Sequence, residues 1–208
     1  AGFVSDKRLV FDATFLGPRY QTPAAVAQAQ TDLMAAVRRV RGVTGAGLVS
    51  GYPMRDRLES SLLAQFHGEP YDPANAPGTR QRLASPGLFE AMGTALIKGR
   101  AFTDADITTT VPVAIVNKVF VDRYLKGRDP IGVQFSAGYP QPNPKNEVTV
   151  VGVVDDVRKQ SLAEAAEPAY YQPMTQFPLR RATAVVSMSQ SDPVPIEAAI
   201  RAEVRKLN

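Results

Sequence analysis

Hydrophobic and polar positions follow two different periods along this chain, and the switches between them mark the elements. From Leu9 to Phe15 (LVFDATF), polar Asp12 and Thr14 alternate with apolar neighbours, the period-two signature of a half-buried strand. Gly17-Pro18 breaks that run. Thr22-Pro23 then supplies an N-cap followed by proline at the first helical position, where its missing N–H costs nothing. In the predicted helix, Val26, Leu33, Met34, Val37 and Val40 share one face, while Gln28, Asp32 and Arg39 turn outward. Arg38, Arg39 and Arg41 fall where cations complement the helix dipole, and Gly42 is the natural stop. Val43 to Ser50 (VTGAGLVS) is a glycine-bearing strand. Strand, helix and strand make a βαβ unit, whose second strand should lie beside the first or one place away in the same sheet.

The most tightly organised stretch runs from Leu83 to Gln134. Ser85-Pro86 predicts a short helix over 86–92, capped by Ser85 and ended by Gly93. Val111, Val113, Ala114, Ile115 and Val116 are too short a run for a helix core and rich in β-branched residues, which predicts a strand buried on both faces. Asn117 stops that strand and caps a helix over 118–126, where Phe120 and Tyr124 share a face and Gly127 makes the C-terminal turn. Asp129-Pro130-Ile131-Gly132 turns the chain into another strand.

Between 53 and 80 the pattern fades. A polar MRDRLESS run, a strand at LLAQFHGE and the turn-rich YDPANAPGTR follow one another, and disorder is expected here before anywhere else. SAGYPQPNPKN is a loop joining two hairpin strands, and Glu147 to Val157 (EVTVVGVVDDV) is the most strongly β segment, predicted to be central in its sheet. Glu164 to Pro168 is a polar connection, followed by strands over 169–174 and 182–189. Asp192 caps a last helix, with Ile196, Ile200, Val204 and Leu207 on one face. The two ends mirror each other, so an outer domain built from both ends with an inserted one is expected. The fold class is α+β.

Composition narrows the function classes. The net charge of +4, from 24 basic and 20 acidic residues, is scattered and lacks the basic stripe with interleaved aromatics that binds nucleic acid. No cysteine is present, which removes disulfides, thiol catalysis and thiolate metal sites. No apolar run approaches the roughly 20 residues needed to cross a bilayer. The opening Ala-Gly-Phe-Val, with neither initiator Met nor leader, points to a piece of a longer protein.

Candidate chemistry is sparse. His67, in QFHGEP, is the sole histidine, and no nucleophile-elbow pattern accompanies it. Asp104 with Asp106, and Asp155 with Asp156, are the best carboxylate pairs for acid-base work or a hard cation, yet both sit where capping and turn roles suffice. Tyr170, Tyr171 and Pro173 could form a ligand platform, although alternating aromatics in a strand are usually core. The Arg38, Arg39 and Arg41 trio is better explained by the helix end than by a phosphate. The glycines of VTGAGLVS follow a helix and lead into a loop, the reverse of a dinucleotide fingerprint, and no P-loop exists.

SPGLFEAMG, KGRAFTDAD, VAIVNKVFVDRYLKGRDPIG, VTVVGVVDDVR and PAYYQP, in that order, resemble the periplasmic core domain of MacB-type ABC transporter permeases, the branch that includes FtsX-like permeases. The resemblance implies a porter-like subdomain over 1–60 and 161–208, with a sabre-like mixed α/β subdomain inserted over 61–160. It also implies flanking membrane helices, a fused or separate ABC ATPase, a homodimer in the full-length protein and a periplasmic adaptor. The implied role is mechanical: ATP-driven closure of the membrane helices moves the domain and drives substrate outward. No catalytic, cofactor-binding or metal residue is assigned, and no cofactor is expected. The alternatives are a free-standing periplasmic binding module, or a small α+β hydrolase using Asp104, Asp155 or His67. If the domain is tethered at both ends, Leu9 and Leu207 should emerge on one side of it.

Overall fold

The computed structural model describes residues 3–5, 7–51, 61–138, 141–157 and 166–207. The polar MRDR stretch and both boundaries expected between subdomains, at 60/61 and 160/161, lie outside the described residues or at their margin. Among the described residues the chain forms eleven strands and four α-helices.

The chain ends build the first layer. β1 (Phe3–Ser5) pairs antiparallel with β2 (Arg8–Thr14), and α1 (Pro23–Arg38) crosses to β3 (Val43–Val49). Thr22 caps α1 by accepting from the Ala25 N–H at 3.2 Å. β11 (Arg181–Met188) lies between β2 and β3, antiparallel to both, and α4 (Val194–Arg205) returns over the same face. β3 therefore sits one place from β2, as the right-handed βαβ rule allows. Asp192 accepts from the Val194 N–H at 3.0 Å, holding the turn that starts α4. Leu9, Val37, Leu48, Val186 and Ile200 belong to the core packed between this sheet and its helices.

The middle of the chain closes a ring. β4 (Ser61–Phe66), β5 (Gly78–Ala84), β7 (Val113–Asn117), β8 (Gln134–Gly138), β9 (Val148–Val154) and β10 (Ala169–Pro173) pair in the circular order β5, β10, β7, β9, β8, β4 and back to β5. β6 (Leu96–Gly99) adds to β9 outside the ring. Closure removes unpaired edges. Phe66, Phe120, Phe135, Val148 and Tyr170 fill the ring's apolar interior, with α3 (Lys118–Tyr124) across it. β9 is interior, bonded to β7, β8 and β6. β10 comes from the C-terminal arm of the chain and still completes the ring.

The two parts meet where Val49 of β3 pairs with Ala84 of β5. Ser85 does not cap α2 (Leu88–Met92). Its hydroxyl accepts from the Leu48 N–H at 2.7 Å and its N–H donates to the Leu48 carbonyl, while the cap position falls to Gly87 in a left-handed conformation. Ser50 reciprocates, its hydroxyl accepting from the Leu83 N–H at 2.9 Å. The glycines of β3 are explained by α2: a Cβ on Gly47 would come within 2.4 Å of the Leu88 Cα. The strand expected from Val111 begins instead at Val113, because Val111 is 68% exposed. α3 ends at Tyr124, short of Lys126.

Three strands were not legible in the pattern. β1 and β6 are edge pieces of three and four residues. β5 (GTRQRLA) looks like loop because its polar side chains find partners only in the fold. Arg80 donates to Glu167 through Nε and Nη2, Gln81 pairs with Gln172, and Arg82 reaches the Tyr171 hydroxyl at 3.3 Å.

Candidate functional site

A groove of about 740 Å³ lies between β2, α1 and α4. Period-two spacing puts Leu9, Phe11, Ala13 and Phe15 of β2 and its exit along the floor, while Ala25, Ala29 and Leu33 recur every fourth residue on α1. Ile200, Val204 and Leu207 form the α4 wall. The alanines leave the space that larger side chains would fill, and Phe11, Tyr20 and Val204 stay partly open to it. At the rim, Arg201 pairs with Glu197 at 2.5 Å, Gln28 donates to Asp32 at 2.9 Å, and Arg19 donates to the Leu207 carbonyl while lying 4.8 Å from the Tyr20 ring centre. Leu9 and Leu207 line this one groove. Apolar walls of this size suit burial of an apolar segment. Among the described residues no histidine lines it, and its polar lining includes Asp12, Thr14, Asp32 and Glu197. Sequence reasoning missed it because its walls come from opposite ends of the chain; the paired alanines on the inward side of α1 were the available signal.

The residues singled out for chemistry are not brought together. His67, beyond β4, places Nδ1 2.8 Å from Glu147 at the surface. Asp104 is exposed beside Thr31 and Thr175. Asp106 is buried, bonded by both oxygens to Arg100 at 2.8 and 2.9 Å and by one to the Thr103 N–H at 2.8 Å. Burial pushes its pKa up, but the Arg100 and Thr103 hydrogen bonds and the Arg100 charge outweigh this and hold it below the usual carboxylate range. Asp155 accepts from the Asp156 N–H, and Asp156 accepts from the Val119 N–H at 3.1 Å and from Asn117 at 2.7 Å, a helix-start role. Tyr170 lies in the ring interior, where burial drives its phenol upward and keeps it protonated. Tyr171 packs edge-on against Phe89 at 4.9 Å. Arg38 donates to the carbonyls of Ala46 and Pro86. Among the described residues no three His, Asp or Glu side chains gather as metal ligands, and no helix is long and apolar enough to cross a membrane.

The fold and the sequence both have relatives. The periplasmic region of MacB from Actinobacillus actinomycetemcomitans superposes with a TM-score of 0.59 at 14% identity, covering 97% of this chain and 84% of that one. The extracellular domain of the noncanonic ABC-type transporter YknZ from Gram-positive bacteria gives 0.54 at 16% identity, covering 94% and 90%. A permease domain from Porphyromonas gingivalis gives 0.54 at 16%, covering 84% and 69%. No curated protein sequence matches the chain. The sequence profile of the MacB-like periplasmic core domain matches residues 7–203. With an α+β fold of that kind and a profile match along nearly its whole length, the chain belongs to the MacB-like periplasmic core domain family, the extracytoplasmic part of ABC transporter permeases.

Proposed function

We propose that this domain passes ATP-driven movement of its transporter's membrane helices outward, shifting against a second copy and driving a substrate away from the membrane without transforming it. The carrying observation is the unbroken hydrogen bonding from the paired chain ends to the far ring. Leu9 and Leu207 line one groove, β2 pairs with β11, β11 with β3, and β3 with β5 of the ring. The apolar packing follows the same path. Leu83 and Met174 belong to the core under α1 and α4, Ala84 and Tyr171 to a middle cluster, and Tyr170 to the ring interior. Close-packed interiors transmit displacement instead of absorbing it. On this reading residues 1–60 and 161–208 are the porter-like part and 61–160 the sabre-like part, with β5 and β10 as the seam.

The partners on this reading are the domain's own membrane helices, an ABC ATPase subunit or domain, a second copy and a periplasmic adaptor. The domain itself is non-catalytic, in keeping with the scattered histidine and carboxylates, and calorimetry with ATP should show no binding. The coupling is tested in the full-length transporter. The domain lacks cysteine, so once any cysteine of the membrane parts is replaced, Arg41→Cys with Lys126→Cys takes two spin labels, one between α1 and β3 and one after α3. Pulsed electron resonance should give the same distance within one domain with and without trapped nucleotide, while Arg41→Cys labels on two copies change separation. A distance that changes within the domain would sink the rigid-lever reading.

A further inference from the structure

We propose that one water molecule is bound as part of the fold in a small polar pocket between α1, the loop from β6 to β7 and the turn after β10, held by Gln30 and shared with Asp104. The pocket has a volume of about 20 Å³, and Gln30, Thr31, Arg38, Ser85, Asp104 and Thr175 supply its polar lining. That is room for a single water, for which about 10–15 Å³ suffices. The residue that calls for a ligand is Gln30. It is 4% exposed, its Nε2 donates to the Leu179 carbonyl at 2.7 Å, and among the described residues its Oε1 meets no donor. Turning the amide over does not help, because the Leu179 carbonyl accepts and must face the nitrogen. A buried acceptor in this state costs stability, so native structures bring it a donor from protein or from solvent.

The neighbouring hydroxyls do not supply that donor. Thr31 spends its one hydroxyl proton on the Ala27 carbonyl at 3.2 Å, Thr175 on the Asp106 carbonyl at 2.5 Å, and Ser85 on the Pro86 carbonyl at 3.2 Å. Arg38 gives Nε and Nη2 to the Ala46 and Pro86 carbonyls. The pocket therefore presents mostly acceptors: Gln30 Oε1, the lone pairs of two threonine hydroxyls and the exposed Asp104 carboxylate, with the Arg38 guanidinium beside them.

Charge decides which ligand meets these acceptors. An anion is turned away by Asp104 and by the bare oxygens. A hard divalent cation takes roughly six to eight oxygens, and the one carboxylate of this pocket is offset by Arg38 in the same lining. A water needs no net charge. It donates one proton to Gln30 Oε1 and the other to Asp104, and it accepts from Arg38, within the two to four polar partners that buried waters make. Bound in this way it ties α1 to the Asp104 loop, a link between the chain-end layer and the middle of the chain besides the pairing of Val49 with Ala84. The site stands whether or not the domain transmits movement.

Crystals of this chain that diffract well enough to show ordered solvent test the site. The wild type should show one peak at about 2.7–3.2 Å from Gln30 Oε1, the same in crystals grown with sodium, with calcium or with neither. Asp104→Asn should keep the peak, since an amide oxygen also accepts, whereas Gln30→Met, similar in length and without the acceptor, should lose it. In solution, a nuclear Overhauser effect between water and the side-chain CH₂ protons of Gln30 should carry the sign of a water held for longer than the molecule takes to tumble. Should Gln30→Met fail to fold, the wild type and Asp104→Asn still decide. A wild-type pocket without a peak, a peak that strengthens with calcium or sits at about 2.3–2.6 Å from its oxygens, a peak lost in Asp104→Asn, or one that survives Gln30→Met overturns the proposal.

Discussion

At the scale of single residues, two side chains hold loops that the sequence marks only as turns. Asp106 ties Arg100, Thr103 and, through its carbonyl, Thr175. Its folded pKa lies below the unfolded value, so its contribution is complete above the ordinary Asp pKa of about 3.9 and is lost as pH falls through the folded value. Asp106→Asn should therefore cost about 1–3 kcal/mol near neutrality and flatten the acid limb of stability, read from urea midpoints between pH 6 and 2.5. Asn117 uses its full capacity: its oxygen accepts from the Phe120 and Ala169 N–H groups, and its amide donates to Asp156 and the Glu167 carbonyl. Asn117→Asp turns both donors into acceptors facing acceptors. A loss of about 2–4 kcal/mol is expected, larger at pH 7 than at pH 4. Its cap was legible as Asn before a helical run, but its bonds to Glu167 and Ala169 were not, because they span about fifty residues of chain.

At the scale of elements, what was legible followed periodicity and what was not followed pairing. The α1 face, the β7 and β9 apolar runs and the inward row of α4 were readable because burial repeats at the element's own period. β5 was hidden by Arg80, Gln81 and Arg82, whose polar groups are satisfied only across the sheet. The β3 glycines pointed to no ligand; they let the α2 backbone approach. Gly47→Ala puts a methyl 2.4 Å from the Leu88 Cα, whereas Gly45→Ala meets the Ser187 hydroxyl at 2.9 Å and the Ala91 backbone at 3.3 Å. Gly47→Ala should lower stability by about 1–3 kcal/mol and Gly45→Ala by less, a ranking that thermal melts of the two variants will read.

At the scale of the whole molecule, closing the ring and covering the first sheet with α1 and α4 leave short edges, and among the described residues the exposed large apolar side chains sit mostly on loops, with Leu96 and Ile97 on the four-residue β6 and Val194 at the start of α4. The isolated domain should be monomeric at micromolar concentration. Sedimentation showing a dimer mass independent of concentration would contradict this, while weak self-contact at high concentration would not. On the proposed reading, the membrane parts of the full-length transporter would hold a second copy beside it and raise the effective concentration without a new interface.

The sequence by itself determined which segments are strands and helices wherever one face is buried at a regular period, and it determined the family, because turn and cap residues recur in a fixed order along the chain. It also placed Asn117, Thr22 and the left-handed glycines at 42, 93 and 127, since those conformations and caps are local. Only the tertiary structure decided that β4 closes the ring on β5, that β10 belongs to that ring despite its distance along the chain, and that the groove lies between β2, α1 and α4. It alone brought Gln30, Asp104 and Thr175 around one pocket. Period and capping are properties of neighbours along the chain, whereas closure, grooves and patches depend on which distant segments meet, and that is set by packing and hydrogen bonding summed over the whole fold.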